Sequence, residues 1–283
     1  MIRPEPNVFL TDRCNQRCLF CSTSGEDRVQ RAEEIEACIL ANRRTISLEG
    51  GEPALSRDLL KWIRFARGSG TKDIILCTNG AALGSERSTR RLLDAGVTLF
   101  NVNFPSHIER VFDLLTQTRG LFRSRVAGMR RLVRLAGGER VRLTLVVNRL
   151  NCDALEGYAR FVRREFPGVF YIAMNWIKVK GRVKDRPYLV PRLSRVRPRL
   201  AEALDYCRRS AIRCLVDGVP LCLLEGYEEH SIDFDKLRRG DRTYLGEKAH
   251  ARACRGCSLR GVCAGPRRDY LEMFGDGELR PRS

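Results

Sequence analysis

Histidine is almost missing from this chain: His107, His230 and His250 are the only three in 283 residues, and they are scattered. That scarcity excludes a metal centre built on histidine. Lysine is also scarce, so the net charge of +18 is carried mainly by arginine. The arginines are spread along the chain, densest over 119–142 and 182–199, as a GC-rich coding sequence would give without selection for a polyanion. Nucleic-acid binding is therefore possible but not favoured. No apolar run approaches the ~20 residues of a membrane-spanning helix, so no membrane partner is expected. Pro4, Glu5 and Pro6 interrupt the only stretch that could open a targeting segment. A cytoplasmic location is expected, where twelve cysteines read as metal ligands and reduced thiols rather than a disulfide framework.

Against these absences, one run stands out: Thr11-Asp-Arg-Cys14-Asn-Gln-Arg-Cys18-Leu-Phe20-Cys21. Three thiols fall within eight residues, just after the strand-like Val8, Phe9 and Leu10. Such a loop can wrap one corner of an iron–sulfur cluster, for which thiolate is the ordinary ligand and four ligands the usual number. Zinc favours four ligands in two pairs. A ferredoxin run uses shorter spacings and a fourth cysteine followed by proline. Three ligands leave one iron open to a substrate or cofactor.

Strand and helix patterns alternate along the chain. Strands are predicted over Val8–Thr11, Thr45–Leu48, Asp73–Cys77, Val97–Asn103, Val141–Val147 and Val169–Trp176. Helices are predicted over 30–42, from a cap at Ser56, over 86–94, 124–136, 153–165 and 192–209. About six βα units predict an α/β fold with a parallel sheet and right-handed crossovers. The pattern leaves open whether the sheet is doubly wound or a barrel. Residues 1–210 form this unit. Residues 211–283 read as a small, irregular, cysteine-rich subdomain with a short strand-like piece, Ile212–Val216.

In βα folds, ligands sit at the carboxyl ends of the strands. The unusual residues fall there: the cysteine loop after strand one, Gly50-Gly51-Glu52-Pro53 after strand two, and Thr78-Asn79 after strand three. Asn103 ends strand four, Asn148 follows strand five, and Trp176 and Lys178 follow strand six. Together the Cys-x3-Cys-x2-Cys spacing with Phe20 and the Gly-Gly-Glu-Pro turn resemble the radical SAM enzymes. The resemblance spans almost the whole chain and selects a partial (β/α)6 barrel of the TIM type. It implies a [4Fe-4S] cluster on Cys14, Cys18 and Cys21 whose open iron chelates S-adenosylmethionine. It places Gly50, Gly51, Glu52 and Pro53 at the methionine amino group and Phe20 near adenine. Thr78, Asn79, Asn103 and Asn148 would contribute ribose or carboxylate contacts. Each of these asparagines could equally be a turn residue.

Near the end, Cys254, Cys257 and Cys263 resemble part of the SPASM and twitch extensions, which hold auxiliary iron–sulfur clusters. Arg267 stands where the full SPASM pattern has its next cysteine. One auxiliary [4Fe-4S] cluster is implied, with Cys222 as fourth ligand and Cys207 and Cys214 as competitors. A zinc site on the same ligands and an open fourth position are the other readings. Cys38 reads as packing. Cys77 and Cys152 lie near strand ends, where a thiol could return a hydrogen atom to a substrate radical or simply be buried. The activity implied is reductive cleavage of S-adenosylmethionine to a 5′-deoxyadenosyl radical, with electrons from a flavodoxin or ferredoxin. The substrate expected is a ribosomally made peptide. Strand one starts by residue 8, so a peptide is expected to need either a separate recognition protein or direct capture. A small metabolite or a tRNA is the alternative. A rival class, a non-catalytic metal protein that binds nucleic acid, leaves the Gly50–Pro53 turn unexplained.

Overall fold

The computed structural model describes residues 5–243 and 245–282. Among them, seven parallel strands form one sheet: β1 (Asn7–Phe9), β2 (Thr45–Glu49), β3 (Asp73–Thr78), β4 (Leu99–Asn103), β5 (Val141–Val147), β6 (Tyr171–Trp176) and β7 (Cys214–Asp217). The spatial order is the sequence order, β1 to β7. With right-handed crossovers, an order that never reverses puts every connecting helix on the same side of the sheet. A doubly wound sheet needs a reversal, so strand order selects the open barrel.

Six strands were expected in the α/β unit and seven are present, because Cys214–Asp217 pairs with β6 in parallel. The sheet thus continues past residue 210. The connecting helices are α1 (Ala32–Ala41), α2 (Leu59–Gly68), α3 (Glu86–Ala95), α4 (Glu109–Thr116), α5 (Phe122–Ala136), α6 (Leu155–Glu165) and α7 (Leu193–Arg209). The eight residues of α4 were not foreseen as a helix; their apolar stripe (Phe112, Leu115) is too short to stand out. Ser56 does not cap α2. Asp58 holds that position, and the Ser56 hydroxyl instead accepts from the Asp58 N–H.

Side chains alternate across the sheet with period two. One set, including Ile46, Leu48, Ile74, Leu76, Phe100 and Val102, packs into the main core with the helices. The other set includes Ser47, Glu49, Cys77, Asn101, Asn103 and Thr144, and is polar. Buried parallel sheets are ordinarily apolar on both faces. A polar inner face therefore signals a cavity rather than a core.

After β7 the chain runs through short turns and two helices, α8 (Ile232–Arg238) and α9 (Arg268–Phe274). Charge ties this segment to the ends of β6 and β7. Lys248, almost wholly buried, bridges Asp217 (2.7 Å) and Asp233. Glu247 accepts from Lys178 (2.8 Å), Lys180 (3.0 Å) and Arg267 (2.8 Å). Burial alone would raise the Glu247 carboxyl, but hydrogen bonds from Lys178, Arg267 and Lys180 hold it far below the usual glutamate range. A depressed folded-state value gives stability that is present above the unfolded value and lost as pH falls below it. Glu247→Gln is expected to lower unfolding free energy by about 1–2 kcal/mol near pH 7. The gap to wild type should narrow as pH falls below the usual glutamate range, remain partly open at about pH 3, and close only below the depressed folded-state value, as read by urea titration across pH.

Candidate active site

The loop between β1 and α1 carries the three cysteines, and backbone hydrogen bonds from three directions fix it. From the turn after β2, the Gly51 N–H donates to Thr11 O (2.7 Å) and the Glu52 N–H to Arg13 O (2.8 Å). The loop's own Leu19 N–H donates to Leu115 O in α4 (2.8 Å), and the Arg182 N–H after β6 donates to Cys21 O (3.0 Å). The two glycines are needed for this approach. A Cβ on Gly50 would lie 2.3 Å from Thr11 O, and one on Gly51 would lie 2.4 Å from Arg13 O. Their role is thus to let two backbones meet, beyond the access to a ligand expected from sequence.

Glu52 was expected to face an ammonium group. Instead it is 1% exposed. Its carboxylate accepts from the Thr78 hydroxyl (2.6 Å), the Asn79 N–H (2.7 Å) and the Ala54 N–H (3.2 Å). Pro53 is buried at the start of the following turn. Gly-Gly-Glu-Pro therefore clasps the β2 and β3 ends together under the cysteine loop. The Arg125 guanidinium from α5, 5% exposed, lies beneath this clasp, with Glu52 and Cys18 as its electrostatic neighbours.

Cys14 is exposed and Cys18 and Cys21 are half-buried. Burial, and then the proximity of Cys14 and Cys21, push the Cys18 thiol up to about 12. The Cys14 thiol is raised as well, chiefly by burial. The Gln16 N–H (3.5 Å) and the Asn79 amide (3.9 Å) point donors at Cys14 Sγ. Gln16 itself is buried, and its side-chain nitrogen has no protein partner. Three converging thiols, sulfur-directed donors and no histidine fit an iron–sulfur cluster. No group of three His, Cys, Asp or Glu among the described residues is arranged to hold a single metal ion.

A cavity of about 700 Å³ opens beside the thiols. Phe20, Gly50, Gly51, Thr78, Asn79 and Asn103 line it, as expected from their strand ends. Cys77 lines it too, its thiol raised by burial and by the nearby Glu49. Besides Glu52 and Pro53, two more expected residues do not line it. Asn148 is buried in a turn, donating to Val146 O (2.8 Å) and accepting from the Leu150 N–H (3.0 Å). Cys152 is 0% exposed within the main core. Sequence reasoning missed Glu49 and Arg182, which also line the cavity. The alternation Thr45, Ser47, Glu49 was the available signal for the first; the Lys180-Gly181-Arg182 turn after strand six, which resembles the family's Gly-Arg turn, was the signal for the second.

In the C-terminal segment, Cys222, Cys254, Cys257 and Cys263 line one small pocket with His250 and Pro220. The Gly265 N–H points at Cys263 Sγ (3.3 Å) and the Arg282 N–H at Cys257 Sγ (3.4 Å). Cys207 and Cys214 are instead buried free thiols, hydrogen-bonded to each other.

An open parallel barrel with a three-thiol loop at its carboxyl mouth defines an iron–sulfur enzyme. The model of the radical SAM superfamily matches residues 8–162, and the chain belongs to that superfamily. A [4Fe-4S] cluster, S-adenosylmethionine and a reductant follow from membership. Among curated relatives, the probable GTP 3',8-cyclase of Sulfurisphaera tokodaii is 30% identical over 161 residues, covering 54% of this chain and 50% of that protein. The GTP 3',8-cyclase of Pseudomonas entomophila is 31% identical over 165 residues, covering 54% and 48%. The chain thus spans about half the length of these relatives. Among solved structures, native anSMEcpe with bound AdoMet and Cp18Cys peptide superposes with a TM-score of 0.65 at 14% identity, covering 99% of this chain and 93% of that one. HydG, a maturase of the [FeFe]-hydrogenase, gives 0.55 at 12% identity, covering 75% and 51%. Both likenesses are of fold. No helix among the described residues is long and apolar enough to cross a membrane.

Two variants test the clasp. Gly51→Ala is expected to push the cysteine loop aside and strip most iron from the anaerobically reconstituted protein, measured by iron assay. Glu52→Ala leaves buried donors on Thr78 and Asn79 unpaired and should cost about 3 kcal/mol of stability, read by denaturant unfolding.

Proposed function

We propose that this enzyme uses S-adenosylmethionine to make a 5′-deoxyadenosyl radical that abstracts hydrogen from a small polar molecule. The observation that carries this reading is the cavity of about 700 Å³ joining the three thiols to a polar inner strand face. Such a volume is that of a small-molecule site. A cluster held on Cys14, Cys18 and Cys21 would supply one-electron reduction of the sulfonium. The chain's own residues do the rest. Thr78, Asn79 and Asn103 offer polar contacts at the strand ends, and Phe20 offers an apolar face. The surrounding barrel limits access of water to the reacting atoms.

The relatives' names support a small molecule over the peptide expected from sequence, since they specify a nucleotide cyclisation. Their match covers only about half of this chain, so their substrate does not transfer with it. Cys222, Cys254, Cys257 and Cys263 are the donor set for a second, auxiliary four-iron cluster, closed by four thiolates. A flavodoxin or ferredoxin is proposed as electron donor, and residues 211–283 as the auxiliary unit, appended to the barrel through β7.

Anaerobic reconstitution should load about eight irons per chain. Cys14→Ala, Cys18→Ala and Cys21→Ala should abolish 5′-deoxyadenosine production from S-adenosylmethionine and dithionite; continued production would falsify the reading. A Cys254→Ala/Cys257→Ala double variant should retain about four irons.

A further inference from the structure

The floor of the cavity is a hydrogen-bonded row that crosses four strands. Ser47 Oγ donates to Glu49 Oε1 (3.2 Å), and the Cys77 thiol lies 3.7 Å from the same oxygen. The Asn101 amide donates to Cys77 Sγ (3.5 Å), and Thr144 Oγ1 donates to Asn101 Oδ1 (2.8 Å). The row holds its members in place and leaves two acceptors unused among the described residues. One is Glu49 Oε2. The other is Asn103 Oδ1, which is buried without a partner. A buried acceptor left unpaired costs about 1–3 kcal/mol, which a ligand N–H can recover.

The charge of the cavity runs against that of the chain. Its lining holds four carboxylates, on Asp12, Glu26, Asp27 and Glu49, against the guanidinium groups of Arg28 and Arg182. That is a local balance of −2 (four acids, two bases) in a chain of net charge +18. Arg28 is further committed to Glu26 (2.8 Å). Arg142, on the inner face of β5 but outside the cavity lining, gives one nitrogen to Glu5 (2.6 Å) and lies against the Tyr171 ring, its buried Nε unpaired among the described residues. Phosphate groups are recognised by free, often bidentate, guanidinium and ammonium donors. The floor of this cavity offers acceptors instead.

From this arrangement we infer that the substrate is a neutral or cationic small molecule bearing an amino group, held by Glu49 and Asn103, and not a nucleoside triphosphate. The inference rests on the radical SAM reading above and refines its substrate class. Glu49 is the specificity residue. Burial raises its carboxyl above the usual range, and the charge of an approaching ammonium favours the anion.

The test uses the full-length holoenzyme with S-adenosylmethionine and dithionite. It is given GTP in one arm. In the others it is given small-molecule extract of the source cells, separated by ion exchange into cation-retained, unretained and anion-retained pools. Mass spectrometry follows the species consumed. Consumption of a species other than S-adenosylmethionine from the cation-retained or unretained pool is expected, and its absence while 5′-deoxyadenosine forms would overturn the inference. At equal iron content, Glu49→Gln should lower kcat/KM for that species about tenfold or more, with partial recovery in Glu49→Asp. Turnover of GTP, consumption from the anion-retained pool, or wild-type kcat/KM in Glu49→Gln would each overturn the inference. Failure of the wild type to form 5′-deoxyadenosine at all would instead sink the radical reading on which it stands.

Discussion

The structure depends on one backbone meeting: the turn after β2 pressed against the cysteine loop after β1. The Gly51 and Glu52 N–H groups donate to Thr11 and Arg13 across a gap that admits no side chain. Everything the site does follows from that closeness. It positions Cys14, Cys18 and Cys21 at the mouth, and it buries Glu52, whose carboxylate then joins β2 to β3 through Thr78 and Asn79. A motif whose obvious reading is ligand contact is also a joint that builds the loop above it. Both roles are compatible, since backbone groups can serve a ligand while the side chain serves the fold.

The second constraint is the alternation of each strand. The outward set pays the entropy of folding through apolar burial, which frees the inward set to be polar. Ser47, Cys77, Asn101 and Thr144 satisfy one another across neighbouring strands, so a polar interior is sustained without a hydrophobic plug. The same economy appears at the C-terminal side. Buried charges there are paired: Lys248 with Asp217 and Asp233, and Arg267 with Glu247 and Asp269. Lys178 and Lys180, just after β6, share Glu247 with Arg267. This ionic joint anchors the segment bearing Cys254, Cys257 and Cys263 beside the strand whose following turn holds Cys21. The two thiol clusters are thereby parts of one framework.

Much of this was legible in the chain. The six βα units, the mouth at the strand ends and the thiol loop follow from local pattern, because hydrophobic period and turn chemistry are local properties. Helix α4 was not legible, being two turns long. The roles of Asn148 and Cys152 were not decided either. An asparagine after a strand reads alike whether it closes a turn or faces a ligand, and a cysteine near a strand end reads alike inside or out. Glu49 was overlooked because it directly precedes a conspicuous glycine pair.

The sequence by itself determined the chemistry available: three thiols in one loop, four more in the C-terminal segment, and a parallel α/β frame. Spacing along the chain is enough for that, because ligand loops and βα units are short-range objects. Only the tertiary structure decided that the sheet is an open barrel with β7 included, that Cys222 rather than Cys207 or Cys214 joins the C-terminal thiols, and that Glu52 turns inward while Glu49 faces the cavity. Those are relations between residues far apart in sequence, set by strand order and by which side of a pleat a side chain occupies, and no local pattern carries them.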